Sequence, residues 1–446
     1  MPKELIQSVK IFVLGLYVSQ LTAMVSPTQA QIFLGSEFQI DLSPQSYQHI
    51  FSSEPHLASS PSGDFQVTWK SYDAGTNNQI RTKRFSSLGI ALGQEIDIGI
   101  SEGESGSSLP PIDMNSSGDS LVTWASAWDS NWGNYIFIRG RFLNSLGTPM
   151  GDVFQVNSSA AGRVGPPELS ANSDGDFLVA WTSQEAGESR PKDILMRRFD
   201  SLGNPVGVEM LVINEDATQP LDIAAGAGNS TGETIVTWVQ TESYDIRARR
   251  FDSDGTAIGE SFQINSYTTG RQSYPSVAAQ DDGGFVVVWH SESSGGSDTD
   301  EQSVQMRRLD SAGQVLGIDQ QVNTYTTDSQ KFPSLGVAPE GNFLVVWESW
   351  GSTGNDSSST SIQGRYFDSA GKPVADEFQI NTATHQRQGS ASVAVNATGE
   401  TLIVWESSCC GLRQIRGQWM LNIFLFSDGF ESGDVSRWSA ASSKIR

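Results

Sequence analysis

Few residues in this sequence have a type and spacing that perform chemistry on their own. The four histidines, His49, His56, His290 and His385, are scattered, and each reads as an ordinary polar side chain rather than a catalyst. No HExxH, no G-x-S-x-G elbow, no GxxxxGK[ST] and no Cys/His ligand spacing occurs. The only cysteines, Cys409 and Cys410, are adjacent, which excludes a long-range staple. A strained vicinal disulfide, pairing between molecules and two free thiols all remain open for them. The Asp-rich turns invite a calcium test. Asp252-Ser253-Asp254-Gly255 looks like part of a calcium loop, but Asp200-Ser201-Leu202-Gly203, Asp310-Ser311-Ala312-Gly313 and Asp368-Ser369-Ala370-Gly371 lack the second carboxylate. The shared element is therefore a β-turn and not a ligand cage. Asp174 with Asp176, or Asp281 with Asp282, could hold one calcium ion weakly; no metal site or cofactor is otherwise expected.

The better candidates are aromatic and polar residues in long, divergent segments: Trp128, Trp132 and Tyr135; Tyr267, Arg271 and Tyr274; Tyr325 and Lys331; His385 and Arg387. Aromatic faces beside polar groups suit sugar or protein recognition. Trp128 and Trp132 stand out because the segment from Ser126 to Asn134 is otherwise polar, so nothing local buries two indoles.

The elements that must position these residues are repeats. A short apolar run ends in Trp69, Trp124, Trp181, Trp238, Trp289, Trp347 and Trp405, at spacings of 55, 57, 57, 51, 58 and 58 residues. Seven copies at such a period signal a propeller, solenoid or array. One unit reads as four strands: Pro275 to Ala279, Phe285 to Trp289, Val304 to Leu309 and Gln320 to Asn323, with Asp/Gly turns after the first and third. That is the content of one propeller blade. Long divergent loops then share one face of the disc and tight repeated turns the other, which makes the first face the working one.

The fourth-strand signature fixes the topology. It recurs at Phe38-Gln39-Ile40, Glu95 to Ile98, Phe154 to Asn157, Leu211 to Asn214, Phe262 to Asn265, Gln320 to Asn323 and Phe378 to Asn381. The first copy has no strands before it, and the unit around Trp405 has no copy after it. A circular arrangement reconciles the two. The expected fold is all-β: a seven-bladed β-propeller with four-stranded blades, its ring closed by the N-terminal strand. Third strands carry recurrent basic residues such as Arg249, Arg307 and Arg365, which read as structural partners rather than an anion-binding belt.

Asp and Glu outnumber Lys and Arg by 51 to 28, for a net charge of -23, which argues against nucleic acid and anionic membranes as partners. Residues 1–30 read as a signal peptide, with Lys3 and Lys10 ahead of an apolar run and Thr28-Gln29-Ala30 at the cleavage site. The expectation is a secreted or cell-surface protein: signal peptide 1–30, propeller 31–423, tail 424–446, and no transmembrane segment. The oligomeric state is not legible in the sequence.

The pattern G-x-F-x-V-x-W, R-R-F-D-S-x-G and F-Q-I-N resembles tandem repeats of large secreted and surface proteins of bacteria. The ending Asp428-Gly429-Phe430-Glu431-Ser432-Gly433-Asp434-Val435-Ser436-Arg437-Trp438-Ser439 looks like a tail of exported bacterial proteins. The resemblance implies an extracellular propeller scaffold and carries no catalytic set. A sialidase is disfavoured, because its Asp-box puts Gly three residues before Trp, whereas Gly63 precedes Trp69, and Gly175 precedes Trp181, by six. The sequence thus favours a non-catalytic binding or surface-interaction module for an extracellular glycan or protein. The alternatives are a glycan hydrolase or lyase with carboxylates at the tunnel mouth, and a purely structural repeat domain.

Overall fold

The computed structural model describes residues 32–421, except 42–54, 72–77, 102–109, 130–133, 159–161, 173, 186–192, 215–219, 226–228, 230, 353, 357–358, 385–386 and 410–411. The signal segment 1–30 and the tail 424–446 lie outside the described residues, as do His49, Trp132, His385 and Cys410. Phe33–Leu421 form one compact unit. The described residues contain strands, turns and loops and no helix.

Seven four-stranded antiparallel blades form a ring. The first blade is His56–Ser59, Phe65–Ser71, Asn78–Phe85 and Ile96–Ser101. The fifth is Gln272–Ala279, Phe285–Glu292, Gln302–Leu309 and Val315–Gln321, and the sixth is Gln330–Val337, Phe343–Trp350, Thr360–Phe367 and Phe378–Gln379. The seventh combines Gln388–Val395, Glu400–Cys409 and Leu412–Leu421 with Phe38–Gln39 from the start of the chain. Phe38 pairs with Gly417 and Gln39 with Arg416, so the N-terminal strand completes the last blade. The innermost strands touch in sequence from the first blade to the seventh and back to the first. A short strand, Gly162–Val164, joins the second and third blades into one sheet by pairing with Gly162↔Glu185 and Val164↔Tyr135.

Each repeated residue has a place in the joint between neighbours. All seven repeat tryptophans are buried. Trp289 packs in one cluster with Ile264 from the outer strand of the fourth blade, Trp347 with Val322 of the fifth, and Trp69 with Ile40 of the seventh. Both faces of the second strands are buried because each is clamped between two blades, as in Phe285–Glu292, where Phe285, Val286, Val287, Val288 and Trp289 are all buried. Third-strand cations tie the same joint. Arg141, Arg197, Arg249, Arg307 and Arg365 donate Nη1 to the carbonyls of Ile98, Val156, Val212, Ile264 and Val322 of the preceding blade, at 2.6–3.0 Å. Lys83 Nζ donates to Ile40 O at 2.7 Å, the equivalent bond across the closure. A second basic column, Arg84, Arg198 and Arg250, pairs with Asp64, Asp176 and Glu233 of its own blade.

The final residue of the outer-strand signature extends the strand with its side chain. Asn157, Asn265, Asn323 and Asn381 accept the N–H of Ile138, Ile246, Val304 and Ile362 through Oδ1. In the closing strand Asp41 does the same for Ile415. The Asp turns are Asx turns: Asp252 Oδ1 accepts the N–H groups of Asp254 and Thr256. Their oxygens are thus occupied by backbone. Gly283 (φ 86°) closes the first-to-second-strand turn by donating to Gln280 O, a left-handed position that glycine adopts without strain. Asn115, Asn157, Asn229 and Asn396, which begin N-x-[ST] sequons, are buried in these joints.

Closure predicts the effect of a truncation. Deleting residues 31–42 removes Phe38, Ile40 and Asp41 and opens an edge on the seventh blade. Loss of one large buried side chain costs about 3 kcal/mol. The shortened protein should melt well below the mature form by calorimetry; an unchanged melting temperature would refute the closed ring.

Candidate functional site

Superposing the seven repeats on their tryptophans isolates one informative column. The residue after the tryptophan is Lys70, Ala125, Thr182, Val239, His290, Glu348 and Glu406. The ionisable members are contiguous around the ring: fifth, sixth and seventh blades and, through closure, the first. Each lies towards the end of the second strand, where the divergent loops begin.

The inner strands opposite this column are bulged. Pairing slips between Ser273 and Ser276, between Lys331 and Ser334, and between Gly389 and Ser392. Inside the bulges Tyr274, Phe332 and Ser390 have φ of 52°, 54° and 56°, left-handed values that non-glycine residues seldom hold. The bulge redirects a backbone N–H to the preceding blade. Phe332 N donates to His290 Nδ1 at 3.4 Å, and the backbone of Ser390 donates to the Glu348 carboxylate. Bulges of this kind re-aim groups beside functional sites.

Glu348 and Glu406 form the electrostatic centre. Arg387 Nη2 lies 3.2 Å from Glu348 Oε2, and Arg413 Nη1 lies 3.2 Å from Glu406 Oε1. The Glu348 side chain is 3% exposed and that of Arg387 is 49% exposed. Burial pushes the Glu348 carboxyl above its ordinary range, while Arg387 and Lys331 oppose that shift. Burial also raises Glu406. Arg413 and Arg387 oppose the rise, and the nearby charge of Glu348 adds to it. Two buried carboxylates thus share the influence of one guanidinium. Gly389 leaves room for the pair: a Cβ there would overlap Glu348 Oε2.

His290 is held neutral, its pKa lowered to about 3 by burial and then by Lys331 and Arg271. The Tyr274 ring stacks on it at 5.1 Å and meets Phe332 edge-on at 4.7 Å, with 45% of Tyr274 exposed. Lys70 is lowered to about 8 by burial. Among the described residues no group of three or more His, Cys, Asp or Glu side chains gathers as a metal cage.

Of the residues the sequence singled out, Arg271, Tyr274, Lys331 and Arg387 belong to this cluster. The backbones of Tyr267 and Tyr325 lie in the blade joints. Their N–H groups donate to Asp319 and Glu377 of the next blade. Trp128 and Tyr135 are not in a free loop. They pair opposite each other in a hairpin whose strands, Ser120–Asp129 and Asn134–Leu143, extend through the segment read as polar loop. Cys409 ends its strand, paired with Leu412. His290, Glu348, Glu406 and Lys70 were missed, and the column after the tryptophan was the signal that could have found them.

No protein-family model matches the sequence, and no match to a curated protein was found. The ring is similar to solved structures. One is a protein of unknown function from Dyadobacter fermentans, at 12% identity and TM-score 0.51, covering 88% of this chain and 99% of that one. Another is the GH93 α-L-arabinofuranosidase of Fusarium graminearum in complex with arabinobiose, with the same identity and TM-score, covering 88% and 98%. At this identity the likeness concerns the fold. The expectation of a non-catalytic binding module is corrected: a solved ring of the same fold is a glycoside hydrolase, which favours the alternative of a glycan hydrolase.

The Arg387–Glu348 pair gives a pH-dependent prediction. Above its raised pKa Glu348 is charged and needs the guanidinium; below it the neutral acid does not. Arg387→Ala should therefore destabilise the protein at pH 8 by about 1–2 kcal/mol, tempered by the exposure of Arg387, and by little at pH 4. Denaturant melts at both pH values measure this, and equal losses would show that Arg387 acts only by packing.

Proposed function

We propose that the protein is a glycan hydrolase whose working groups are Glu406 and Glu348, at the end of the ring that carries the divergent loops. The observation behind this reading is two buried carboxylates on adjacent blades, both raised in pKa, beside an exposed tyrosine face. Glycoside hydrolysis uses one protonated and one ionised carboxyl group. The surroundings divide those roles. Glu348 has Arg387, Lys331 and the Ser390 N–H to hold its negative charge. Glu406 is pushed further towards the protonated form by the Glu348 charge.

In this scheme Glu406 donates its proton to the glycosidic oxygen as the C–O bond breaks. Glu348 supports attack at the anomeric carbon, as base towards water or as nucleophile. Water is consumed: its hydroxyl goes to the sugar, and its proton is taken by Glu406 in the nucleophile route, or by Glu348 in the base route, after which exchange with solvent restores both groups. Tyr274 offers a sugar-sized platform over His290. The match to an arabinofuranosidase holding arabinobiose supports a sugar-directed reading of the fold. Residues 1–30, read as an export signal, support an extracellular glycan as substrate.

Reducing-end release from a panel of plant and microbial oligosaccharides tests this. Glu406→Gln and Glu348→Gln should each lower kcat by about a hundredfold or more while near-ultraviolet circular dichroism is unchanged. The alkaline limb of kcat/KM should lie above the ordinary glutamate value near 4.5, because burial raises Glu406, and it should vanish in Glu406→Gln. Activity that survives both substitutions would overturn the assignment.

A further inference from the structure

The same end of the ring carries a charge anomaly. The chain has nearly two acidic residues for every basic one, 51 against 28, so a cation without a close ion pair is unexpected. In the joints the bases are consumed by carbonyls and acids, as with Arg307 and Arg84. At the Tyr274 platform two are not. The Lys331 ammonium, opposite Glu348 on the neighbouring strand and acting on its charge, makes no ion pair within 4 Å among the described residues and lies over the Phe332 ring at 5.8 Å. The Arg271 guanidinium lies over the Tyr244 ring at 4.5 Å and likewise makes no ion pair among the described residues. Glu292 accepts the Arg271 backbone N–H through Oε2. Both cations act electrostatically on His290, the residue beneath Tyr274, so both flank the platform.

An exposed aromatic face between two cations that make no close ion pair among the described residues recognises a ring that bears negative charge. We propose that the site takes an anionic glycan, one with a carboxylate or sulfate on the sugar that stacks on Tyr274, with Lys331 and Arg271 receiving the anion. The inference rests on the hydrolase reading for its chemistry, not for its binding. Neutral sugar needs no such cation, whereas an anionic one approaching a protein of net charge -23 does. Direct contact between each cation and the anion adds a charge-assisted hydrogen bond. Guanidinium and ammonium each fit either anion, so the carboxylate and sulfate forms are separated by experiment.

Calorimetric binding and product release are measured on the full chain with three probes: a tetra-uronate, its methyl ester, and a sulfated neutral tetrasaccharide of equal length. The uronate or the sulfated sugar should bind at least about tenfold more tightly than the methyl ester, with an advantage that shrinks at high salt. The preferred anion identifies the source of the charge. Lys331→Met with Arg271→Met should abolish that advantage, and Lys331→Arg should retain it. Equal binding of the charged and esterified probes, or a preference unaffected by the double substitution, would overturn the inference. Anion-selective binding without cleavage of any probe would uphold it and count against the hydrolase reading. Cleavage confined to the methyl ester would uphold the hydrolase reading and sink this one.

Discussion

The joint between neighbouring blades is the interaction on which everything else depends. It is built from one buried tryptophan, one aliphatic residue on the outer strand of the preceding blade, and one long cation reaching that residue's carbonyl. Trp289, Ile264 and Arg307 make one such joint. Trp69, Ile40 and Lys83 make the closing one, with Ile40 contributed by the N-terminal strand of the seventh blade. The cation is spent on backbone that the strand geometry leaves unpaired, and its aliphatic stem covers the sheet. Because the joint repeats, a sheet that would otherwise offer an open edge is closed on itself.

A ring of this kind fixes the distance and direction between equivalent positions on adjacent blades. It therefore turns a one-dimensional column into a cluster. The residue after each tryptophan always points into the same layer, so placing Glu348 and Glu406 at that position on two consecutive blades brings two acids together without help from any loop. The inner-strand bulges add what a regular strand lacks: an N–H turned away from its own ladder, given to His290 by Phe332 and to Glu348 by Ser390. The left-handed backbone at these three residues is the local cost, and the well-packed sheets around them sustain it.

Much of this was legible in the chain. The tryptophan spacing showed seven blades, and the orphan signature at Phe38 showed how the ring shuts. Of the residues in the divergent segments, Arg271, Tyr274 and Lys331 gather around His290, and Lys331 and Arg387 around Glu348. What could not be read was which side chains share a layer. Tyr267 and Tyr325 resemble Tyr274 as residues, yet sit where acids of the next blade, Asp319 and Glu377, capture their N–H groups. Trp128 looked unsupported because strand pairing through Asp129 is not marked by its polar neighbours. Glu348 and Glu406 were hidden for the opposite reason. Each follows a strongly apolar run, where an acid passes as the first polar residue of a loop although it is buried between blades.

In the proposed hydrolase the acid pair and the tyrosine platform form one sugar site. A crystal structure of the Glu406→Gln protein soaked with an oligosaccharide that the unaltered protein cleaves tests it most directly. A sugar ring should be stacked on Tyr274, with a glycosidic oxygen within hydrogen-bond distance of residue 406 and the anomeric carbon facing Glu348. Sugar bound elsewhere on the ring, with the Glu348–Arg387 pair untouched, would contradict it.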